Sequence, residues 1–249
     1  MSFNKSCVIY NPDNSQVKLR LFCFSPGGTG ASLFRPWVNL FPPEIQICAI
    51  QLPGRESRLK EPLLTDITSV ITMLNHSLLP YLEEYPFAFF GHSVGALIAF
   101  EFARKLYYEK KFFPLHLFLS AKIAPHLPPK EFLHQTSDEN LIKKLSEFGG
   151  TPQTILDNLE VIQLFLPIFR ADLTISETYI YQKKSPLHIP FNIFGGTEDN
   201  FAPYDGLLQW SQETNKDFAV NMFPGKHMFL KQKPKVLVDF IIKKLNLYY

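Results

Sequence analysis

The sequence predicts a doubly wound α/β domain with a mostly parallel sheet and an inserted helical segment. Short apolar runs are continuous rather than alternating, as in strands buried on both faces. These runs take turns with stretches of helical period, the order expected of a βαβα chain. One long interval, roughly residues 125–186, carries helical patterns but no convincing strand. Within residues 1–249 there is no linker composition and no repeat, so one domain is expected.

The first strand reads Leu19 to Phe24 and stops at Ser25-Pro26-Gly27-Gly28. A second spans Ile45 to Leu52 and closes at Pro53-Gly54. Phe87 to Phe90, Leu115 to Ser120, Ile189 to Phe194 and Phe218 to Phe223 supply four more. Helices are expected over Thr65 to Glu84, Val94 to Tyr108, Tyr204 to Thr214 and Lys235 to Leu247. In the interval from Pro125 to Pro186, Glu139 to Phe148 and Thr154 to Thr178 read as helices, separated by Gly149-Gly150 and Pro152. Its phenylalanines, Phe132, Phe148, Phe165 and Phe169, serve either to fasten the insertion to the sheet or to line an acyl channel.

Composition narrows the function classes. The chain has 249 residues, 46% of them apolar, which excludes an intrinsically disordered scaffold. A net charge of +2 lacks the basic excess of a nucleic-acid-binding surface. No apolar stretch approaches the roughly 20 residues of a membrane span, and Met1 to Ser6 lacks the pattern of a secretory leader. A cytoplasmic protein, monomeric by default, is the expectation. The three cysteines, Cys7, Cys23 and Cys48, show no metal-ligand spacing, and Cys23 and Cys48 sit in apolar runs that suit buried thiols.

The stretch Phe87-Ala88-Phe89-Phe90-Gly91-His92-Ser93-Val94-Gly95-Ala96 carries the most chemistry. An apolar strand runs through Gly-x-Ser-x-Gly into an amphipathic helix, the context of a nucleophile elbow. Ser93 is therefore the candidate nucleophile, presented at a helix N-terminus that favours developing negative charge. A serine hydroxyl needs a general base and a group to orient that base. In this arrangement the acid follows a late strand and the histidine comes last. Phe191 to Asp199 supplies the acid, with Asp199 preferred over its neighbours Glu198, read as a solvated loop charge, and Asp205, read as a helix cap. Of seven histidines only His227, after the last strand, stands in the right place. His92 is expected to hydrogen-bond within the turn. The oxyanion donors are expected at the Val94 N–H and in the loop Ser25 to Gly30. That loop has neither a dinucleotide nor a P-loop signature, so no nucleotide, cofactor or metal is expected.

Several motifs resemble those of type II thioesterases, the discrete editing enzymes of polyketide and nonribosomal peptide assembly lines. They include Cys23-Phe24 through Phe34-Arg35-Pro36-Trp37, Leu52-Pro53-Gly54-Arg55 with Glu56-Ser57-Arg58-Leu59, and Gly91 to Ala96. Phe169-Arg170-Ala171-Asp172 with Glu177-Thr178-Tyr179, Gly195 to Asp199, and Gly225 to Phe229 complete the set. The resemblance implies an α/β-hydrolase fold with a helical lid and a Ser93–His227–Asp199 triad. It further implies hydrolysis of acyl groups from the phosphopantetheine arm of an acyl or peptidyl carrier protein. Where the family's oxyanion loop reads Phe-Pro-x-Ala-Gly-Gly, this chain has Phe24-Ser25-Pro26-Gly27-Gly28-Thr29, which aligns Gly27 with the family's second donor. A medium-chain acyl-carrier hydrolase of fatty acid synthesis shares the motifs and is the alternative. A carrier-binding module without catalysis and a general carboxylesterase are the remaining readings. Arg170 and Asp172 are expected to pair or cap within the lid helices, or the basic residues Arg55, Arg58 and Arg170 to meet the acidic carrier surface or the pantetheine phosphate near the entrance.

Overall fold

The computed structural model describes residues 6–10, 14–110 and 112–248. Most of the stretch read for a leader, residues 1–5, lies outside them. Seven strands form one sheet: β1 (Cys7–Ile9), β2 (Leu19–Phe24), β3 (Ile45–Ile50), β4 (Phe87–His92), β5 (Leu117–Ser120), β6 (Phe191–Gly196) and β7 (Phe218–Phe223). Their order is β1-β3-β2-β4-β5-β6-β7, parallel throughout except for β1. The helices are α1 (Ile67–Leu82), α2 (Val94–Lys105), α3 (Asp138–Phe148), α4 (Gln153–Leu156), α5 (Leu159–Glu177), α6 (Tyr204–Leu208), α7 (Phe229–Gln232) and α8 (Pro234–Leu245).

The continuous apolar runs are explained by burial on both faces. Phe22 and Phe24 of β2 pack with Phe89, α1 and α2 on one side, while Leu21 and Cys23 pack with Phe34, Trp37 and α8 on the other. Successive residues of a strand point to opposite faces, so the runs are apolar on both; the exceptions, Arg20, Gln46 and Asn192, are buried and hydrogen-bonded. The three cysteines are all buried free thiols. Burial raises the thiol pKa of Cys23 and Cys48 well above the ordinary value.

Between β5 and β6 the chain builds α3, α4 and α5, with an apolar cluster of their own around Leu141, Leu145, Ile162 and Leu166. The single helix expected over Thr154 to Thr178 is broken: α4 ends at Leu156 and α5 restarts behind Asn158, whose Oδ1 accepts the Val161 N–H at 3.2 Å. Asp and Asn compete with helical backbone and favour caps, which is why the break falls there. The antiparallel edge strand β1 and the 3₁₀ run Ala31–Asn39, which carries Pro36, are additions to the expected elements. No helix among the described residues is long and apolar enough to cross a membrane.

Candidate active site

Ser93 sits between β4 and α2 with φ 55° and ψ −123°, in the left-handed half of backbone space. The bend is tight enough that only glycine fits on either side. A Cβ on Gly91 would lie 2.3 Å from the Gly95 carbonyl oxygen, and one on Gly95 would lie 2.3 Å from the Phe24 carbonyl oxygen. Non-glycine residues held in such regions store on the order of 1–3 kcal/mol of strain and cluster at functional sites. The Ser93 N–H donates to the Ser120 carbonyl at 2.7 Å, which ties the bend to the end of β5.

Two later loops bring the other groups to this point. The loop after β6 and the loop after β7 are joined by backbone hydrogen bonds, Thr197 N–H to Phe223 O at 2.8 Å and Glu198 N–H to Gly225 O at 2.9 Å. Asp199 and His227 are thereby placed side by side. His227 Nδ1 lies 2.8 Å from Asp199 Oδ2, and His227 Nε2 lies 3.0 Å from Ser93 Oγ. The acceptor at Nδ1 is a carboxylate, so that nitrogen carries the proton and Nε2 faces the hydroxyl as an acceptor. Asp199 Oδ1 accepts the N–H groups of Phe201 at 2.9 Å and Ala202 at 3.2 Å. Burial alone raises its pKa, but the bond to His227, the imidazole charge and the two amides outweigh burial and hold it below the ordinary carboxylate value. Phe148 of α3 packs tilted against the His227 ring with centroids 5.0 Å apart, and Phe201 meets it edge-on at 5.9 Å.

The competing acids and histidines are elsewhere. Glu198 is exposed on the loop, and Asp205 is exposed in the first turn of α6, where Pro203 rather than Asp205 stands at the cap position. His76 is exposed on α1, His116 bonds to Asn192 and Tyr248, and His134 pairs with Glu177. His126 lies 3.5 Å from Glu213, and His188 bonds to Asn215.

His92 departs from expectation. It does not bond within the turn: Nδ1 meets Ser120 Oγ at 2.8 Å and Nε2 meets the His227 carbonyl at 3.0 Å. A carbonyl only accepts, so Nε2–H is the donor and Nδ1 takes the Ser120 hydroxyl proton. Burial, then the neighbouring His227 charge, push its pKa down to about 3. His92 is therefore a neutral prop that fixes the backbone of His227.

Arg55, Arg58, Arg170 and Asp172 also depart from expectation. Arg170 and Asp172 do not pair with each other. Arg170 bonds to Asp138 and the His134 carbonyl, whereas Asp172 of α5 reaches across to Arg55. That pair is bidentate, Nη1 to Oδ2 at 2.5 Å and Nη2 to Oδ1 at 2.9 Å, with both side chains buried. Asp172 Oδ2 also accepts the Gly28 N–H at 2.8 Å. One carboxylate thus holds the loop after β2 to α5 and to the loop after β3. Arg58, also buried, bonds to Glu61, Ser6 and the Gln51 carbonyl. Neither Arg55 nor Arg58 is on the surface to meet a partner. With Gly28 taken by Asp172, Gly27 is the loop residue beside Val94: a Cβ on Gly27 would lie 3.9 Å from the Val94 Cγ1.

Two cavities open on Ser93 and His227. The smaller, about 80 Å³, is mainly apolar, with Val94, Leu145, Phe148, Phe169, Leu173 and Met228 in its wall. The larger, about 450 Å³, is more polar and runs between the end of β5, the Asp199 loop and the helical segment. Of the four phenylalanines in that segment, Phe148 and Phe169 line the apolar cavity. Phe132 and Phe165 are exposed instead.

The chain is similar to known proteins over most of its length. The family described as Thioesterase domain matches residues 19–245. The chain is 40% identical to the gramicidin S biosynthesis protein GrsT of Aneurinibacillus migulanus, over 94% of this chain and 91% of that protein. It is 34% identical to the medium-chain S-acyl fatty acid synthase thioesterase of Rattus norvegicus, over 97% of this chain and 92% of that one. The solved structure of BorB, a type II thioesterase from the borrelidin biosynthetic cluster, superposes with a TM-score of 0.87 at 28% identity, covering 96% of this chain and 97% of that chain. With a mostly parallel seven-stranded sheet and a family match over nearly its whole length, the chain belongs to the thioesterase family of α/β-hydrolases, in its type II branch.

Proposed function

We propose that the chain hydrolyses acyl thioesters carried on the phosphopantetheine arm of acyl or peptidyl carrier proteins, clearing stalled groups from a polyketide or nonribosomal peptide assembly line. Ser93 is the nucleophile, His227 the general base and Asp199 the group that orients and stabilises the imidazolium. The observation that carries this reading is the continuous hydrogen-bonded line from Ser93 Oγ through His227 to buried Asp199, at a point where two cavities meet.

The thioester carbonyl lies with its oxygen toward the N–H groups of Val94 and Gly27. Ser93 Oγ attacks the carbonyl carbon as His227 Nε2 takes its proton, and the oxyanion is held by the two amides. Collapse breaks the C–S bond, and His227 returns the proton to the leaving sulfur. A thiol of pKa about 8.5 leaves more readily than an amine, so little is asked of His227 as an acid. Water, deprotonated by His227, then attacks the acyl-serine and releases the carboxylic acid and free Ser93. Residues 1–249 act as one domain, with the helical segment of about 125–186 as a lid over the site. The proposal keeps a cytoplasmic monomer without cofactor.

A second reading, release of medium-length chains from fatty acid synthesis, draws on the likeness to the rat enzyme. The likeness to the gramicidin S biosynthesis protein GrsT and to the type II thioesterase BorB supports the editing role instead. Hydrolysis of carrier proteins loaded with acyl groups of increasing length decides between them: the proposal expects the highest kcat/KM on short groups. A maximum at medium length would favour the alternative. Unchanged hydrolysis by a folded Ser93→Ala variant would overturn the mechanism.

A further inference from the structure

The larger cavity contains a cation that the mechanism above does not use. Lys122 lies two residues beyond Ser120, the residue whose carbonyl anchors the Ser93 N–H, and it lines this cavity together with Ser93, Ser176 and Glu177. Its backbone is pinned, since Trp210 Nε1 donates to the Lys122 carbonyl at 2.6 Å. The ammonium donates to Ser176 Oγ on α5. No carboxylate among the described residues is within ion-pair distance of it. Glu177, whose charge acts on Lys122, is already engaged: its Oε2 takes both the backbone N–H and Nδ1 of His134.

An ammonium has three donors, and one is spent on Ser176. A partly buried cation with spare donors is costly unless something else satisfies it. Burial accordingly pulls its pKa down to about 8, against the opposing charge of Glu177. The cavity it faces is the space a substrate must share with Ser93.

We propose that Lys122 reads the thioester substrate by donating to an acceptor oxygen in the larger cavity. That oxygen belongs either to the acyl group, as a distal carboxylate or oxo group, or to the pantetheine arm, as an amide carbonyl. The inference rests on the thioesterase reading. A purely structural Lys122, bracing α5 through Ser176, would slow every substrate alike; a reading residue changes the ratio between substrates.

The test compares wild type, Lys122→Met and Lys122→Arg on succinyl-pantetheine, butyryl-pantetheine and butyryl-N-acetylcysteamine thioesters. Loss of a charge-assisted hydrogen bond is expected to lower one ratio of kcat/KM in Lys122→Met by on the order of tenfold. A fall in succinyl over butyryl assigns the oxygen to the acyl group. A fall in pantetheine over N-acetylcysteamine assigns it to the arm. Lys122→Arg, which keeps the charge, should restore part of the affected ratio. Both ratios within twofold of wild type would overturn the proposal. If the Met variant does not fold, Lys122→Gln, neutral but still able to bond to Ser176, carries the same comparison. Absence of butyryl-pantetheine hydrolysis by the wild type would strike the thioesterase reading instead, and is read separately.

Discussion

Replacing Asp172 tests how far the oxyanion loop depends on the helical segment. Its Oδ2 holds both Arg55 Nη1 and the Gly28 N–H, and the ion pair is nearly inaccessible to water. Asp172→Leu leaves the Arg55 guanidinium buried without a counter-ion, which costs about 3–5 kcal/mol. At roughly 2–4 °C per kcal/mol for a chain of this size, Tm should fall by roughly 6–20 °C. The Gly28 N–H also loses its acceptor, and the loop that presents Gly27 is released. Removing one oxyanion donor outright costs about 10²–10³ in kcat, which sets the ceiling for a donor that is only misplaced. In the double variant Arg55→Met/Asp172→Leu no charge is left buried, so most of the lost stability should return. The kcat should not return, because nothing holds Gly28. The assay is thermal unfolding alongside steady-state hydrolysis of an acyl-pantetheine thioester. Recovery of kcat together with Tm in the double variant would refute the link between this carboxylate and the oxyanion loop.

Ser93→Gly should abolish turnover while raising stability by about 0–2.5 kcal/mol, the roughly 1–3 kcal/mol of strain relieved at φ 55° less the roughly 0.5–1 kcal/mol of chain entropy that glycine costs; a chemical-denaturation midpoint below wild type would count against strain at the bend. His92 and His116 are held neutral at pKa values of about 3 and about 4 by burial, against 6.5 for a free imidazole. On unfolding each takes up a proton below pH 6.5, so stability falls as pH drops through this window, by about 1.4 kcal/mol per pH unit for each histidine. His116→Gln should remove about half of that slope in urea titrations between pH 6 and 4.5, and an unchanged slope would contradict it. Phe169→Ala enlarges the apolar cavity and should move the kcat/KM optimum to longer acyl groups; an optimum that stays put would show that this cavity does not hold the acyl chain.

Much of the sheet could be read from the chain because β2 to β6 are buried on both faces and so mostly apolar. Ser93, Asp199 and His227 were legible for a related reason: each follows the end of a strand, and parallel strands deliver their carboxyl ends to one edge. The three-residue β1 left no such signature, having only Cys7–Ile9 to show at the sheet edge. The pairing of Arg55 with Asp172 was hidden because 117 residues separate them and neither local pattern names its partner. Their motifs were visible as unusual, but the reason, one carboxylate joining two loops and a helix, is a property of the assembled fold. The tie from His92 to the His227 carbonyl was equally out of reach, since a backbone acceptor has no identity in a sequence. Lys122 gave no signal, as a lone lysine after a strand is ordinarily a solvated surface residue.

Activation of Ser93 by His227 for covalent attack is measured most directly by reaction with a fluorophosphonate followed by intact and peptide mass spectrometry. One adduct per chain, located on Ser93, lost in Ser93→Ala and slowed by orders of magnitude in His227→Ala, is the predicted result. An adduct at another residue, or labelling of Ser93 at the same rate without the imidazole, would contradict it.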